Sequence, residues 1–163
     1  MRLRPVDYGD VERMVEWRTA QMEHLRSWEF PSIDTQNEFI ARVHTDPSLV
    51  YLAVGGVSDH RNIVAYGGFI NIDHINRKAE MAFLGDPEID TLTEDIAANL
   101  ILQYGFQTLN LNRIEMETHT GERGELVSSL KFKYEGTKQS SCYRDGQYHD
   151  SEMWAFLNYD YSR

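Results

Sequence analysis

The spacing of apolar residues changes several times along the chain, and each spacing predicts a different kind of element. Alternation over residues 1–6 predicts a short N-terminal strand. Asp7 and Asp10 then precede apolar residues that recur at helical spacing from Val11, which predicts a capped first helix. A second helix is predicted to begin at Asp34.

The middle of the chain predicts three consecutive strands. Residues 49–54 (LVYLAV) and 63–72 (IVAYGGFINI) are strand-like and flank the polar segment GGVSDHRN, so they predict a β-hairpin. A polar turn then leads to a third predicted strand over residues 79–84.

The longest helix is predicted over residues 91–110. Thr91 and Glu94 have the spacing of a capping box at its start, and apolar residues recur on one face behind them. The predicted apolar stripe consists of Ile96, Leu100, Ile101, Tyr104 and Leu109.

The C-terminal third predicts a further strand, a short helix and a hairpin. Residues 113–119 (RIEMETH) alternate as a strand does, and 124–131 predict a short helix. Residues 134–143 and 149–157 flank the turn RDGQ, whose Asp-Gly pair favours a tight β-hairpin. This order of elements predicts an α+β fold, in which helices form layers on a mostly antiparallel mixed sheet.

Composition narrows the class of protein. The 163 residues are 41% hydrophobic and 26% charged without a biased linker, which predicts one domain over 1–163. Without an apolar leader or a long apolar run we expect neither export nor membrane insertion, and the single Cys142 suits the reducing cytoplasm. A net charge of −10 disfavours nucleic acid as a partner; it is compatible with a cationic amine, or with solubility alone.

Four segments carry a resemblance to a known family: LRPVDYGDVERMVEW, AEMAFLGDPE, LNLNRIEMETH and KFKYEGTKQSSCYRDGQYHDSEMWAFL. Together they resemble the GNAT superfamily of N-acetyltransferases, and within it the RimJ/RimL-like branch that acetylates ribosomal proteins. The resemblance implies the GNAT acyl-CoA N-acyltransferase fold, acetyl-CoA as the cofactor, and an amine of a small molecule or a protein N-terminus as the acceptor. A homodimer is compatible with it.

In that family, backbone N–H groups of a loop R/Q-x-x-G-x-G/A bind the diphosphate of acetyl-CoA where the long helix begins. The matching residues 89–95 contain no glycine and no arginine, and Glu94 and Asp95 place carboxylates in the first helical turn, where they oppose phosphate binding. Main-chain N–H groups of the central strand polarise the acetyl carbonyl. The cofactor-binding residues implied by the resemblance are Phe83, Leu84, Gly85, Thr91, Thr93 and Asp95.

The resemblance also supplies candidate catalytic groups. Glu80 matches a glutamate that deprotonates the amine, and strand alternation places it with Ala82 and Leu84, opposite Ala79. An ion pair with Arg77, Lys78 or Arg113 is the equally weighted structural alternative.

A family tyrosine that protonates the departing thiolate is replaced by Val127. Ser128 or Ser129 could take over through a hydroxyl or a bound water. Trp28 and Tyr66 are candidate substrate-binding residues in an aromatic set that also includes Trp17, Phe30 and Phe69, and core packing explains Trp17 and Phe69 equally well. The six histidines lack metal-binding spacing, so we expect no metal.

Two hypotheses follow. The first is an acetyl-CoA-dependent N-acetyltransferase. The second is a non-catalytic binding or assembly module that has lost acetyl-CoA binding, motivated by the altered loop and the missing tyrosine. A broader third option is another acyl or nucleotide donor with fewer phosphates, and only the altered loop supports it.

Overall fold

The computed structural model describes residues 1–25, 29–56, 62–119 and 124–161. Within these ranges, seven strands form one sheet. They are β1 (Arg2–Pro5), β2 (Val50–Gly55), β3 (Ile63–Asp73), β4 (Lys78–Gly85), β5 (Arg113–His119), β6 (Lys133–Arg144) and β7 (Gln147–Leu157).

Five α-helices accompany the sheet: α1 (Val11–Ala20), α2 (Ile33–Val43), α3 (Thr91–Gln107), α4 (Gly124–Ser129) and α5 (Asn158–Tyr161). Short 3-10 helices at Tyr8–Asp10 and Met22–His24 flank α1. Sequence patterns predicted neither of these nor α5, since each spans at most four residues and shows no apolar period. No helix in the described ranges is long and apolar enough to cross a membrane.

The strand order is β1-β2-β3-β4-β5-β7-β6, and β4 and β5 form the one parallel pair among the described strands. The predicted hairpin of β2 with β3 is confirmed, as is that of β6 with β7. Asp145 and Gly146 both have positive φ, 51° and 78°, as a two-residue hairpin turn requires. This is the mostly antiparallel mixed sheet with flanking helices that the element order predicted.

Two hydrophobic cores lie on opposite faces of the sheet. One packs α3 and α4 against the strands and includes Phe69, Met81 and Ile114. The other lies under α1 and α2 and includes Trp17 and Leu84. Successive residues of β4 therefore serve different cores, as strand alternation predicted.

The predicted apolar stripe of α3 is confirmed in part, since Ile101 is fully buried and Leu100, Tyr104 and Leu109 pack against the core. Ile96 is 44% exposed, although it was expected to be buried. Half of the buried residues of α3 are alanine or glycine, which let the helix axis approach the strands closely. A Cβ on Gly105 would lie 2.4 Å from Cζ of Phe69. The buried residues of α3 are Ala97, Ala98, Ile101, Leu102, Gly105 and Phe106.

Helix starts also differ from prediction. α3 is capped by Asp90, whose Oδ1 accepts a hydrogen bond of 2.7 Å from the Thr93 amide, so the predicted Thr91–Glu94 capping box is wrong. α2 starts at Ile33 behind a Ser32 cap, one residue earlier than predicted. In both cases the residue before the observed start has the extended backbone that a cap needs.

Candidate active site

The sheet opens between its two central parallel strands. β4 and β5 pair only at Lys78–Arg113, Ala79–Ile114 and Glu80–Glu115, and the remaining residues of both strands, all of them described, form no further pairs with each other. β4 stays paired to β3 as far as Gly85. Alternate residues of 81–85 therefore turn main-chain N–H and C=O groups towards the opening.

The end of β4 and the start of α3 meet beside this opening. Gln21 Nε2 donates a 2.8 Å hydrogen bond to the Gly85 carbonyl, which links α1 to β4. A Cβ built on Gly85 would lie 3.7 Å from both Cγ and Oε1 of Glu94, so the Glu94 carboxylate stands over the end of β4. Both Gly85 and Glu94 thus lie at the place where the resemblance puts the coenzyme.

The first turn of α3 already uses part of its hydrogen-bonding capacity. The Thr93 amide is bonded to Asp90, and this bond holds the pKa of the Asp90 carboxyl below its ordinary value. Asp95 Oδ1 accepts a 2.6 Å hydrogen bond from Ser129 Oγ of α4. An anion approaching here would meet amides that are partly engaged and carboxylates that repel it.

Glu80 lies on the α1 and α2 side of the sheet, in the same row as Leu84, and is half-buried. Desolvation, together with the negative charge of Glu80, raises the pKa of Tyr51 to about 12, against an opposing effect of Arg18. Of the proposed ion-pair partners, Arg113 bonds Glu115 and Glu135, whereas Arg77 bonds Asn110. The base role of Glu80 and its alternative, an ion pair with Lys78, both stay predictions.

A cavity of about 220 Å³ lies between α1, α2, the segment after residue 28 and strands β2 and β3. Its floor includes Tyr66, which pairs with Leu84 of β4, and Tyr51, which pairs with Gly68 next to Ala82. The cavity is therefore on the Glu80 side of the sheet. It is lined by Met14, Arg18, Glu29, Phe30, Pro31, Thr35, Gln36, Phe39, Tyr51 and Tyr66.

The aromatic residues predicted to bind substrate differ in where the structure places them. Tyr66 lines the cavity and stacks on Trp17, with ring centroids 6.0 Å apart. Trp17 itself is a core residue, and so is Phe69 on the other face. Phe30 lines the cavity and is 76% exposed. Trp28 lies outside the described residues.

The neighbouring strand β5 carries a polar network that the sequence patterns above do not predict. Glu117 of β5 has a side chain only 9% exposed, and its carboxylate accepts hydrogen bonds of 2.6 Å from Ser151 Oγ and 2.8 Å from Lys138 Nζ. Ser141 extends this network through a 2.6 Å contact with Ser151. The alternation of RIEMETH was the available signal, since it puts Glu117 on the same face as Glu115, the partner of Glu80.

The residues proposed for the thiolate end lie on α4. Val127 is fully buried in the core, and Ser128 is exposed. Ser129 is bonded to Asp95 and to the Leu126 carbonyl. The role of Ser128 as proton donor to the thiolate remains a prediction. Residues 120–123, which precede α4, lie outside the described residues.

Cys142 and the potential metal ligands were the other reactive groups considered in the sequence. Cys142 is buried, as expected for a packed thiol. Within the described ranges, no group of three or more His, Cys, Asp or Glu side chains is placed to hold a metal ion.

The fold is that of the GNAT N-acetyltransferases. Spermidine N-acetyltransferase of Vibrio cholerae, solved in complex with CoA and spermine, superposes with a TM-score of 0.87 at 21% identity, over 99% of this chain and 98% of that one. A single-site mutant of the same enzyme superposes with a TM-score of 0.83 at 22% identity, over 99% and 97% of the two chains.

One curated relative is similar in sequence. It is the uncharacterized N-acetyltransferase p20 of Bacillus licheniformis, 30% identical over 109 residues. The match covers 65% of this chain and 61% of the length of that relative. No protein-family profile matches the chain.

Proposed function

We propose that this protein is an N-acetyltransferase that transfers the acetyl group of acetyl-CoA to an amine, with residues 1–163 acting as one catalytic domain. The observation that carries the proposal is the opening between β4 and β5, directly after the pair Glu80–Glu115 and on the same sheet as the small cavity. The N-acetyltransferase named as a relative and the spermine-bound structural neighbour support the same reaction class.

The described residues fit the acyl end of acetyl-CoA. The edge of β4 over Met81–Gly85 offers main-chain N–H and C=O groups that β5 does not use, and such groups can hold an amide-containing arm by strand-like pairing. When bound, acetyl-CoA supplies a thioester whose carbonyl carbon an amine can attack. The fit to the diphosphate is poorer, because Asp90 occupies the Thr93 amide and Glu94 stands over Gly85.

The chain's own groups then have definite roles. N–H groups among Phe83, Leu84 and Gly85 polarise the acyl carbonyl. Glu80 accepts a proton from the incoming amine, directly or through water, and its half-buried position beside Tyr51 favours this role over a solvated surface carboxylate. Ser128 is the proposed proton donor at the sulfur.

Three finer points belong to the proposal. A polyamine is one candidate acceptor, because a structural neighbour binds spermine and this chain carries a net charge of −10. The closing hairpin supports the RimJ/RimL-like branch, and with it a protein N-terminus as acceptor. A cytoplasmic location agrees with use of acetyl-CoA and with the single cysteine.

The test combines acetyl-CoA titration calorimetry with an assay of CoA thiol release in the presence of an amine panel. Removal of a general base typically costs ~10²–10⁴-fold in rate, so Glu80→Gln should lower kcat by that order while leaving acetyl-CoA affinity unchanged. Glu38→Gln, an exposed change on α2, is the matched control. Equal activity of the two variants would remove Glu80 from the mechanism.

The second candidate, a non-catalytic binding module, is favoured by one observation: the glycine-free, acid-capped start of α3. It predicts no heat of binding at millimolar acetyl-CoA and no rise of Tm with added CoA. Micromolar affinity would exclude it.

A further inference from the structure

The small cavity on the Glu80 side of the sheet has charges of both signs. Arg18 of α1 contributes a guanidinium, and Glu29 contributes a carboxylate. Thr35 and Gln36 add neutral polar groups, and Gln36 is a buried residue. A cavity of about 220 Å³ has room for several water molecules, and therefore for a small molecule.

Arg18 is in an unusual position for an arginine in an acid-rich chain. Its Nε atom is buried, and no described residue accepts a hydrogen bond from it. By contrast, Arg4 makes a bidentate pair with Asp10 at 2.5 and 2.7 Å, and Arg113 bonds two glutamates. A buried donor without an acceptor is unfavourable. An anionic group that entered the cavity could accept a hydrogen bond from Arg18 and remove this cost.

The surroundings of Arg18 define which anion fits. A guanidinium offers a planar fork that matches a carboxylate. Glu29 lines the same cavity, and Glu80 is close enough to act on Tyr51 alongside Arg18. Two carboxylates near one guanidinium disfavour a dianion such as a phosphate and leave room for one negative charge beside a positive amine.

We propose that the acceptor is a small amine that also carries a carboxylate, an amino-acid-like molecule whose carboxylate is bound by Arg18. This inference rests on the proposed function, whose acceptor class it narrows. The amine nitrogen forms a bond to the acetyl carbon, the carbon–sulfur bond breaks, and its electron pair leaves with sulfur. The proton lost by nitrogen goes to Glu80, a proton is returned to sulfur, and the products are an N-acetylated acid and the CoA thiol.

The experiment compares amines that differ by one carboxylate: L-lysine with cadaverine, and L-phenylalanine with phenethylamine. Binding to the full chain is measured by NMR titration without coenzyme, and kcat/KM is measured by thiol release. Wild type should favour the carboxylated member of at least one pair by ~10-fold or more in both readouts. This comparison needs no variant.

Variants then assign the preference to Arg18. Arg18→Met should lower binding and kcat/KM for the carboxylated amine by ~10-fold or more and leave its decarboxylated partner unchanged. Arg18→Lys should restore part of the loss. Arg13→Met, an exposed change on the same helix, should behave as wild type.

The outcomes separate the acceptor inference from the proposed function. Acetylation of cadaverine and phenethylamine in preference to their carboxylated partners, in both pairs, keeps the N-acetyltransferase and overturns the acceptor inference. Carboxylate-dependent binding that Arg18→Met abolishes, without any transfer, supports the binding of a carboxylated amine by Arg18 and contradicts the proposed enzyme. Absence of binding by either amino acid at millimolar concentration, or an equal effect of Arg18→Met on both members of a pair, overturns the inference.

Discussion

Neutralising Glu94 should tighten acetyl-CoA binding. The Glu94 carboxylate stands over Gly85 at the end of β4, where the diphosphate of the coenzyme would meet the start of α3. At ~5 Å and an effective dielectric of about 20, one carboxylate opposes one phosphate charge by ~3.3 kcal/mol. With a Debye length of ~8 Å this falls to about 1.8 kcal/mol, or roughly 20-fold in Kd.

The assay is titration calorimetry of acetyl-CoA into wild type and Glu94→Gln at physiological salt. Glu12→Gln is the matched control, since Glu12 is an exposed carboxylate in the first turn of α1. The gain for Glu94→Gln should shrink as salt is raised, because screening removes the repulsion that the variant relieves. An unchanged or weakened affinity, or the same gain in Glu12→Gln, would refute the placement of the diphosphate beside Glu94.

Three further predictions concern stability and ionisation. Gly105→Ala should lower the free energy of unfolding by ~1–3 kcal/mol in a denaturant titration, because the added Cβ meets buried side chains. Gly124→Ala is the control and should not lower it, because the space around Gly124 is open. Arg113 holds the pKa of Glu135 below 4.5, so this pair stabilises the fold above pH 4.5 and the effect is lost as pH falls through the lowered pKa. Glu135→Gln should therefore be less stable than wild type at pH 7, and pH-dependent melting should show the difference vanish in acid. In a tyrosine titration followed by absorbance, Tyr51→Phe should remove the ionisation step near pH 12. If the variant instead lost a step near pH 10, the Tyr51 hydroxyl would not be buried as the structure shows.

The amino-acid sequence alone determined the features that depend on neighbours along the chain. Alternation in RIEMETH gave β5 its bounds, and Asp145-Gly146 gave the closing turn, because side-chain direction and positive φ are local properties. The same alternation put Glu80 on the face opposite Met81. The resemblance in the surrounding strings supplied the fold, which the structure confirms.

The tertiary structure decided what depends on packing between distant segments. The close approach of α3 to the sheet depends on Gly105 lying against Phe69, and the spacing of apolar residues does not encode this contact. Arg18 is far from Glu80 in sequence and shares an electrostatic environment with it only because α1 packs over β2 and β3. Glu117 and its partners from β6 and β7 converge for the same reason, since a hydrogen-bond network forms in space and leaves no periodic signal along the chain.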